Sequence, residues 1–307
     1  MKRYLTRLIL AAIACASSHG VMAADVSQTL EIIGKPTDRG LGFQPAVTEL
    51  ARDIVWFDTL LLYVIAAICA FVLGLIAYVI LRYNRRVSRQ AASFSHYTPV
   101  EIIWTVVPVV ILLFISAVSL PILFKQQIIP EGDVNIKATG NQWYWSYEYP
   151  DHEFSFDSFM LSRDELEDYG YSQDEYLLAT DTAMVVPVGQ TVVVNVTASD
   201  VIHAWTIPAF GVKQDGVPGR LAGLWFKAET EGIFFGQCSE LCGKDHAYMP
   251  ITVKVVSQEA YDEWLDTARE EYAQSPGVKP STDGGDSPTR SYAGIPAMAA
   301  PAQFASR

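Results

Sequence analysis

The stretch "GIFFGQCSELCGKDHAYMP", Gly232 to Pro250, decides how the chain reads. It opens as a strand, because Ile233, Phe234 and Phe235 suit a pleated, buried surface. It then places Cys238, Cys242, His246 and Met249 within twelve positions, and each of these side chains can bind a soft metal. Three chemistries compete for two thiols this close. A Cys238–Cys242 disulfide would close a very small loop and leave His246 and Met249 without a role. A zinc site could draw on Cys238, Cys242, His203 and His246, but it leaves Met249 unused. Copper uses more of the residues. His203, Cys242, His246 and Met249 supply two imidazoles, a thiolate and a weak thioether, the ligand set of a blue-copper electron-transfer site. Cys238 is then one thiolate too many for a single ion, and two bridging thiolates can hold two coppers that share an unpaired electron.

Outward from this loop the sequence is β-rich. "VNIKAT" (134–139), "QWYWSYEY" (142–149), "TAMVVPV" (182–188), "TVVVNVTA" (191–198), "HAWTIPAF" (203–210) and "ITVKVV" (251–256) are short, β-branched or aromatic, and bounded by Gly, Pro and Asp. Strands at this spacing predict a sandwich or barrel over residues 127–272. "SQEAYDEWLDTAREEYAQ" (257–274) has helical spacing and predicts an amphipathic helix at the end of that domain. Pro, Ala, Gly and Ser dominate from Ser275, so 273–307 read as a disordered tail. The acidic insert "SRDELEDYGYSQDEY", Ser162 to Tyr176, reads as a helical, solvating segment with no assigned role.

The first half is a membrane anchor. Lys2, Arg3 and Arg7 precede an apolar stretch, and small residues lead to Ala23, so 1–23 read as a cleaved signal peptide. Cys15 falls inside it; cleavage before Cys15 is the weaker alternative, because Ala12 sits where a larger aliphatic is usual. Residues 24–53 then form an external N-terminal segment, and 54–126 a hairpin with helices at about 59–81 and 102–124. Each apolar run has 23 uncharged residues, about 34 Å of helix, enough for one crossing. Pro108 and Pro121 are expected to kink the second, and Cys69 is a small apolar packing residue in the first. Arg82, Arg85, Arg86 and Arg89 crowd the loop 82–101, which the positive-inside rule makes cytoplasmic. Both ends of the mature chain are then outside, and the cysteines at 238 and 242 face an oxidising compartment.

Formal net charge is -12, which disfavours nucleic acid as a partner. Residues 127–272 carry 25 Asp and Glu against 8 Lys and Arg, a composition that serves solubility and also suits docking of a cationic protein.

"GQCSELCGKDHAYMP", "VIHAWTIPAFGVKQDGVPGR" and "QWYWSYEYP" together resemble subunit II of the haem–copper cytochrome c oxidases of the bacterial aa3 type, over most of the mature chain. The resemblance implies a membrane-anchored all-β architecture: a two-helix transmembrane hairpin followed by a cupredoxin-like β-sandwich. It implies a binuclear copper centre, with Cys238 and Cys242 bridging, His203 and His246 each on one copper, Met249 a weak ligand to one, and the Glu240 carbonyl on the other. The Glu240 carboxylate would reach a magnesium or manganese ion shared with subunit I. Trp143 would receive electrons from cytochrome c, although the alternation of Trp143, Tyr144 and Trp145 alone does not separate an exposed indole from a core one. Glu148, Asp157, Asp181 and Asp200 match docking acids for cytochrome c. Glu101 matches the mouth of a proton channel, and it also suits a plain helix N-terminal acid. The implied setting is the inner membrane, among lipid and subunits I and III, with the C-terminal domain in the periplasm. The implied activity is transfer of electrons toward haem and oxygen, coupled to proton pumping. The hairpin argues against nitrous oxide reductase, and the two thiols exclude a quinol oxidase subunit. No C-x-x-C-H motif for attached haem is present. A membrane-anchored copper or zinc assembly factor is the alternative from another class.

Overall fold

The computed structural model describes residues 30–87 and 93–272. The signal peptide expected over 1–23, Arg89 of the basic loop and the tail expected over 273–307 lie outside the described residues. Strand β1 (Ile32–Gly34) leads to two long helices, α1 (Glu49–Arg82) and α2 (Thr98–Gln127). Both are long and apolar enough to cross a membrane, and their outer faces expose Leu, Ile, Val and Phe. At 1.5 Å per residue they are about 51 and 45 Å long, well beyond an apolar layer of about 30 Å.

The helices overrun their apolar cores at both ends. Helix α1 starts at Glu49, ten residues before the uncharged run, because Thr48 caps it: its Oγ1 accepts from the Ala51 N–H at 3.0 Å. Helix α2 starts at Thr98 with Pro99 in its first turn, where a missing N–H costs no helical bond. Residues 49–53 therefore belong to α1 and 98–101 to α2, not to the segments expected from hydropathy. Hydropathy reads the solvent around a helix; caps decide where it ends. Helix α2 runs continuously through Pro108 and Pro121.

The remaining described chain is β2 (Val134–Asn141), β3 (Tyr144–Tyr149), β4 (Phe154–Ser158), β5 (Met184–Pro187), β6 (Val192–Ala198), β7 (His203–Ile207), β8 (Val212–Gly216), β9 (Ala222–Phe226), β10 (Gly232–Gln237) and β11 (Pro250–Val256), closed by helix α3 (Gln258–Tyr272). One sheet runs β1-β10-β11-β5 and another β4-β3-β2-β6-β9, with β7 and β8 as a separate ribbon. All seven strand segments read from the sequence form strands. Four were missed: β1 and β4, which are short, and β8 and β9, where "VKQDG" and "AGLWF" lack clean alternation. The two sheets close on one core that includes Ile136, Tyr147, Val194, Trp205, Phe234 and Val253, all inaccessible to solvent.

The acidic insert does more than solvate. It forms two 3-10 turns, Glu167–Tyr169 and Gln173–Glu175, not a regular helix. Leu166 and Tyr171 bury against Ile233 and Phe235 of β10 in a satellite core. Glu175, 2 % exposed, accepts from Ser172 N–H and Oγ and pairs with Lys35 Nζ at 2.6 Å, which ties the insert to the N-terminal segment.

The hairpin is fixed to the domain by polar contacts at its upper end. Thr48 Oγ1 donates to Phe210 O at 2.8 Å and Arg52 pairs twice with Glu229, while Lys125 Nζ meets both Glu49 and Asp53 and so ties the two helices to each other. Trp225 Nε1 donates to Lys125 O at 3.1 Å.

Candidate metal centre

Three elements build the site. Strands β10 and β11 are antiparallel neighbours, and the Gln237–Pro250 pair closes the base of the loop Cys238–Met249. The loop is tied to β7 through Ser239 N–H, which donates to Ala204 O at 3.0 Å. Strand β7 begins at His203, whose ring is buried against β2 at Gly140. A Cβ at position 140 would stand 2.8 Å from His203 Cγ, so only glycine leaves room for the imidazole.

The sulfurs of Cys238 and Cys242 are 3.9 Å apart and both thiols are free. A disulfide needs about 2.05 Å, so this spacing is that of two separate ligands. Each sulfur has its own set of neighbours. Cys238 Sγ lies 3.8 Å from His203 Nδ1 and 3.3 Å from Glu240 O. Cys242 Sγ lies 3.4 Å from His246 Nδ1 and 3.4 Å from Met249 Sδ. Ligand atoms of His203, Cys238 and Cys242 lie within 4.8 Å of one another, and His246 is outside that group. Thiolate, imidazole and thioether donors of this kind suit a soft metal such as copper.

Asp200 holds His203 in place. Its Oδ1 lies 2.9 Å from His203 Nε2, and since a carboxylate only accepts, Nε2 carries the proton and Nδ1 is left free toward Cys238. Asp200 also accepts from Val201 N–H at 2.6 Å and Gln142 N–H at 2.7 Å. Burial alone would raise its pKa, but His203 and the two N–H groups hold it below the usual carboxylate value. Burial likewise pulls His203 down, and its bonds to Cys238 and Asp200 more than offset this. Burial and the neighbouring Cys238 sulfur push Cys242 up to about 12. Burial works in the same sense on Cys238, but His203 and nearby backbone groups bring it below its ordinary value.

Trp143 stands in the turn between β2 and β3, partly buried against the core. Its Nε1 donates to Cys242 O at 3.2 Å, and Gln142 Nε2 donates to the same oxygen at 2.8 Å. Gly243 follows with φ +125, and a Cβ there would lie 3.0 Å from Trp143 Cζ2. Sequence reasoning missed Gln142, Gly140 and Gly243. Gly243, inside the ligand loop, was the available signal; Gly140 lies far in sequence from His203 and gave none.

The expected docking acids are spread over β3, β4 and the segments that lead into β5 and β7. Glu148 pairs with Lys137 at 2.8 Å, Asp157 accepts from Ser146 Oγ, and Asp181 accepts from Phe159 and Thr182 N–H. The Glu240 carboxylate is partly exposed and lies 3.8 Å from Lys213 Nζ. Glu101 is at the opposite end of α2, where its carboxylate accepts from Tyr97 N–H at 3.1 Å, the bond of a helix N-terminal acid.

Two family models cover most of the described chain. "Cytochrome C oxidase subunit II, transmembrane domain" matches residues 36–122, and "Cytochrome C oxidase subunit II, periplasmic domain" matches 134–256. Cytochrome c oxidase subunit 2 of Cereibacter sphaeroides is 57 % identical over 277 residues, 86 % of this chain and 91 % of that protein. The protein of the same name from Zea mays is 38 % identical over 232 residues, 73 % of this chain and 88 % of that one. Among solved structures, the periplasmic domain of subunit II of the cytochrome oxidase of Bradyrhizobium japonicum is 51 % identical, covers 47 % of this chain and 99 % of its own, and superposes with a TM-score of 0.43.

Proposed function

The chain belongs to the cytochrome c oxidase subunit II family, and from that premise we propose that it is the electron-accepting subunit of the oxidase, taking electrons from cytochrome c at a binuclear copper centre. The observation that carries this reading is the pair of free thiols 3.9 Å apart, each with its own imidazole. The donor set of thiolate, imidazole, thioether and backbone carbonyl fits copper. Cys238, Cys242, His203, His246, Met249 and the Glu240 carbonyl would together hold the copper. Copper bound there would supply a one-electron couple.

The remaining roles belong to the chain's own groups. Asp200 keeps Nδ1 of His203 directed at the metal side. Trp143 offers cytochrome c an indole bonded to the metal loop, and Glu148, Asp157, Asp181 and Asp200 give the surrounding face its negative charge. His246, half-buried at the loop's edge, would pass the electron toward the haem of subunit I, where oxygen becomes water with proton pumping. The Glu240 carboxylate would hold the magnesium or manganese ion shared with subunit I. Glu101 would stand at the mouth of the proton channel on the cytoplasmic side. In this reading the chain sits in the inner membrane with lipid and subunits I and III around the hairpin, its β-domain in the periplasm after removal of residues 1–23. The domain limits are those expected from the sequence, with the helices extended to Glu49 and Gln127.

Rapid mixing of the copper-loaded assembly with reduced cytochrome c tests the reading. The copper absorption should bleach as cytochrome c is oxidised. A fully loaded site that accepts no electron from cytochrome c would contradict it.

A further inference from the structure

One cation of the acidic domain lies over the Trp143 indole. Lys244 Nζ lies 5.6 Å from the ring centroid of Trp143, within cation–π reach. Its side chain is 78 % exposed, and its ion contact is a loose one, 3.6 Å to the adjacent Asp245. By contrast Lys137 is paired closely with Glu148. The position of Lys244 follows from the backbone: Gly243, at φ +125, turns the loop beside the indole, and the bond from Trp143 Nε1 to Cys242 O keeps the indole under it.

Apolar groups and bonded polar groups lie near this turn, and the carboxylate beside Lys244 is that of Asp245. Phe159 stacks on Tyr144 at 4.6 Å, and Val201 and Ile202 are exposed beside Asp200. The Asp200 carboxylate accepts three hydrogen bonds from within the chain. The long-range field of the domain is negative, and the charge directly over the indole is positive.

We propose that Lys244 is a specificity-determining residue of the docking face, which weakens the hold on a cationic redox protein at the point of closest approach to Trp143. The proposal rests on the reading of Trp143 as the residue that receives electrons. The acidic domain draws the partner from a distance, a rate effect spread over many charges. Lys244 acts only at contact, where a like charge shortens the lifetime of the complex and lets the spent partner leave.

The test uses the assembled oxidase with Lys244→Gln and Lys244→Arg, reduced cytochrome c as donor, and a range of ionic strengths. Lys244→Gln should lower KM for cytochrome c about two- to fivefold at low salt, the scale of one exposed charge contact. The difference should vanish toward 1 M salt, where the screening length is about 3 Å. Lys244→Arg should keep the parent KM. An unchanged or raised KM in Lys244→Gln would overturn the proposal. So would a change that is equal at all salt concentrations, since that would mean Lys244 acts by holding the indole. Trp143→Ala in parallel separates the two levels. If it slows cytochrome c oxidation while Lys244→Gln does nothing, only the role of Lys244 fails; if it has no effect, the reading of Trp143 fails as well.

Discussion

The indole Nε1 of Trp143 donates a 3.2 Å hydrogen bond to the carbonyl oxygen of Cys242, so the turn between β2 and β3 is joined directly to a thiol-bearing residue of the metal loop. Trp143→Phe keeps an aromatic ring and loses that bond; Trp143→Ala loses both. Electron transfer from cytochrome c should fall in the order parent, Phe, Ala, with the Ala variant slower by about tenfold or more, the change that about 1.4 kcal/mol in a barrier produces. Copper content should be unchanged in both. Loss of copper in Trp143→Phe would show that the indole serves the fold of the loop.

Gly243 can be tested independently of Trp143. At φ +125, with Trp143 Cζ2 3.0 Å from any added Cβ, Gly243→Ala forces either backbone strain or displacement of the indole. The strain is worth about 1–3 kcal/mol. The melting temperature should drop accordingly, and the rate of reduction by cytochrome c should fall with it. A variant with parent stability and parent rate would refute the close packing described at this turn.

Asp200 has a second task besides surface charge. Asp200→Asn replaces the carboxylate that fixes His203 with a neutral amide, and loss of such a charged partner weakens metal affinity about 10- to 100-fold. Copper competition with a chelator measures this directly, and a shifted absorption spectrum should accompany it. If Asp200→Asn changes only the salt dependence of cytochrome c binding, the carboxylate is a docking charge alone.

The pair Lys35–Glu175 anchors the insert, and its pH dependence has a definite sign. Burial raises the Glu175 pKa, but bonds from Lys35 and Ser172 outweigh it and set the folded value below the ordinary 4.5. The stabilisation is therefore complete above about pH 4.5 and is lost as pH falls through the lower folded value. Glu175→Gln should cost about 1–3 kcal/mol at neutral pH, a hydrogen-bonded charge left without its partner. The gap in melting temperature between parent and variant should close on acidification; a gap that persists at low pH would contradict the ion-pair account.

Much of this architecture is legible in the sequence because its signals are local. Apolar length gave two membrane helices, β-branched runs gave seven strands, and the C-x3-C-x3-H-x2-M spacing picked out the metal loop. What the sequence hides is determined by distant contacts. Thr48, which caps the start of α1, also bonds Phe210 O, 162 positions away, and so joins the helix start to the domain. The insert looked like a charged, solvating segment because Leu166 and Tyr171 show their value only against β10. Asp200 read as a surface charge because its bonds to Gln142 and His203 need a folded turn.

The metal content of the purified chain tests the central claim most directly. Copper, zinc and free thiol should be measured together on the parent and on Cys238→Ser. The account predicts two coppers per parent chain, no zinc, and a single spin signal shared by both ions that disappears in Cys238→Ser. One zinc per chain, one copper whose signal survives in Cys238→Ser, or a Cys238–Cys242 disulfide without metal would contradict it.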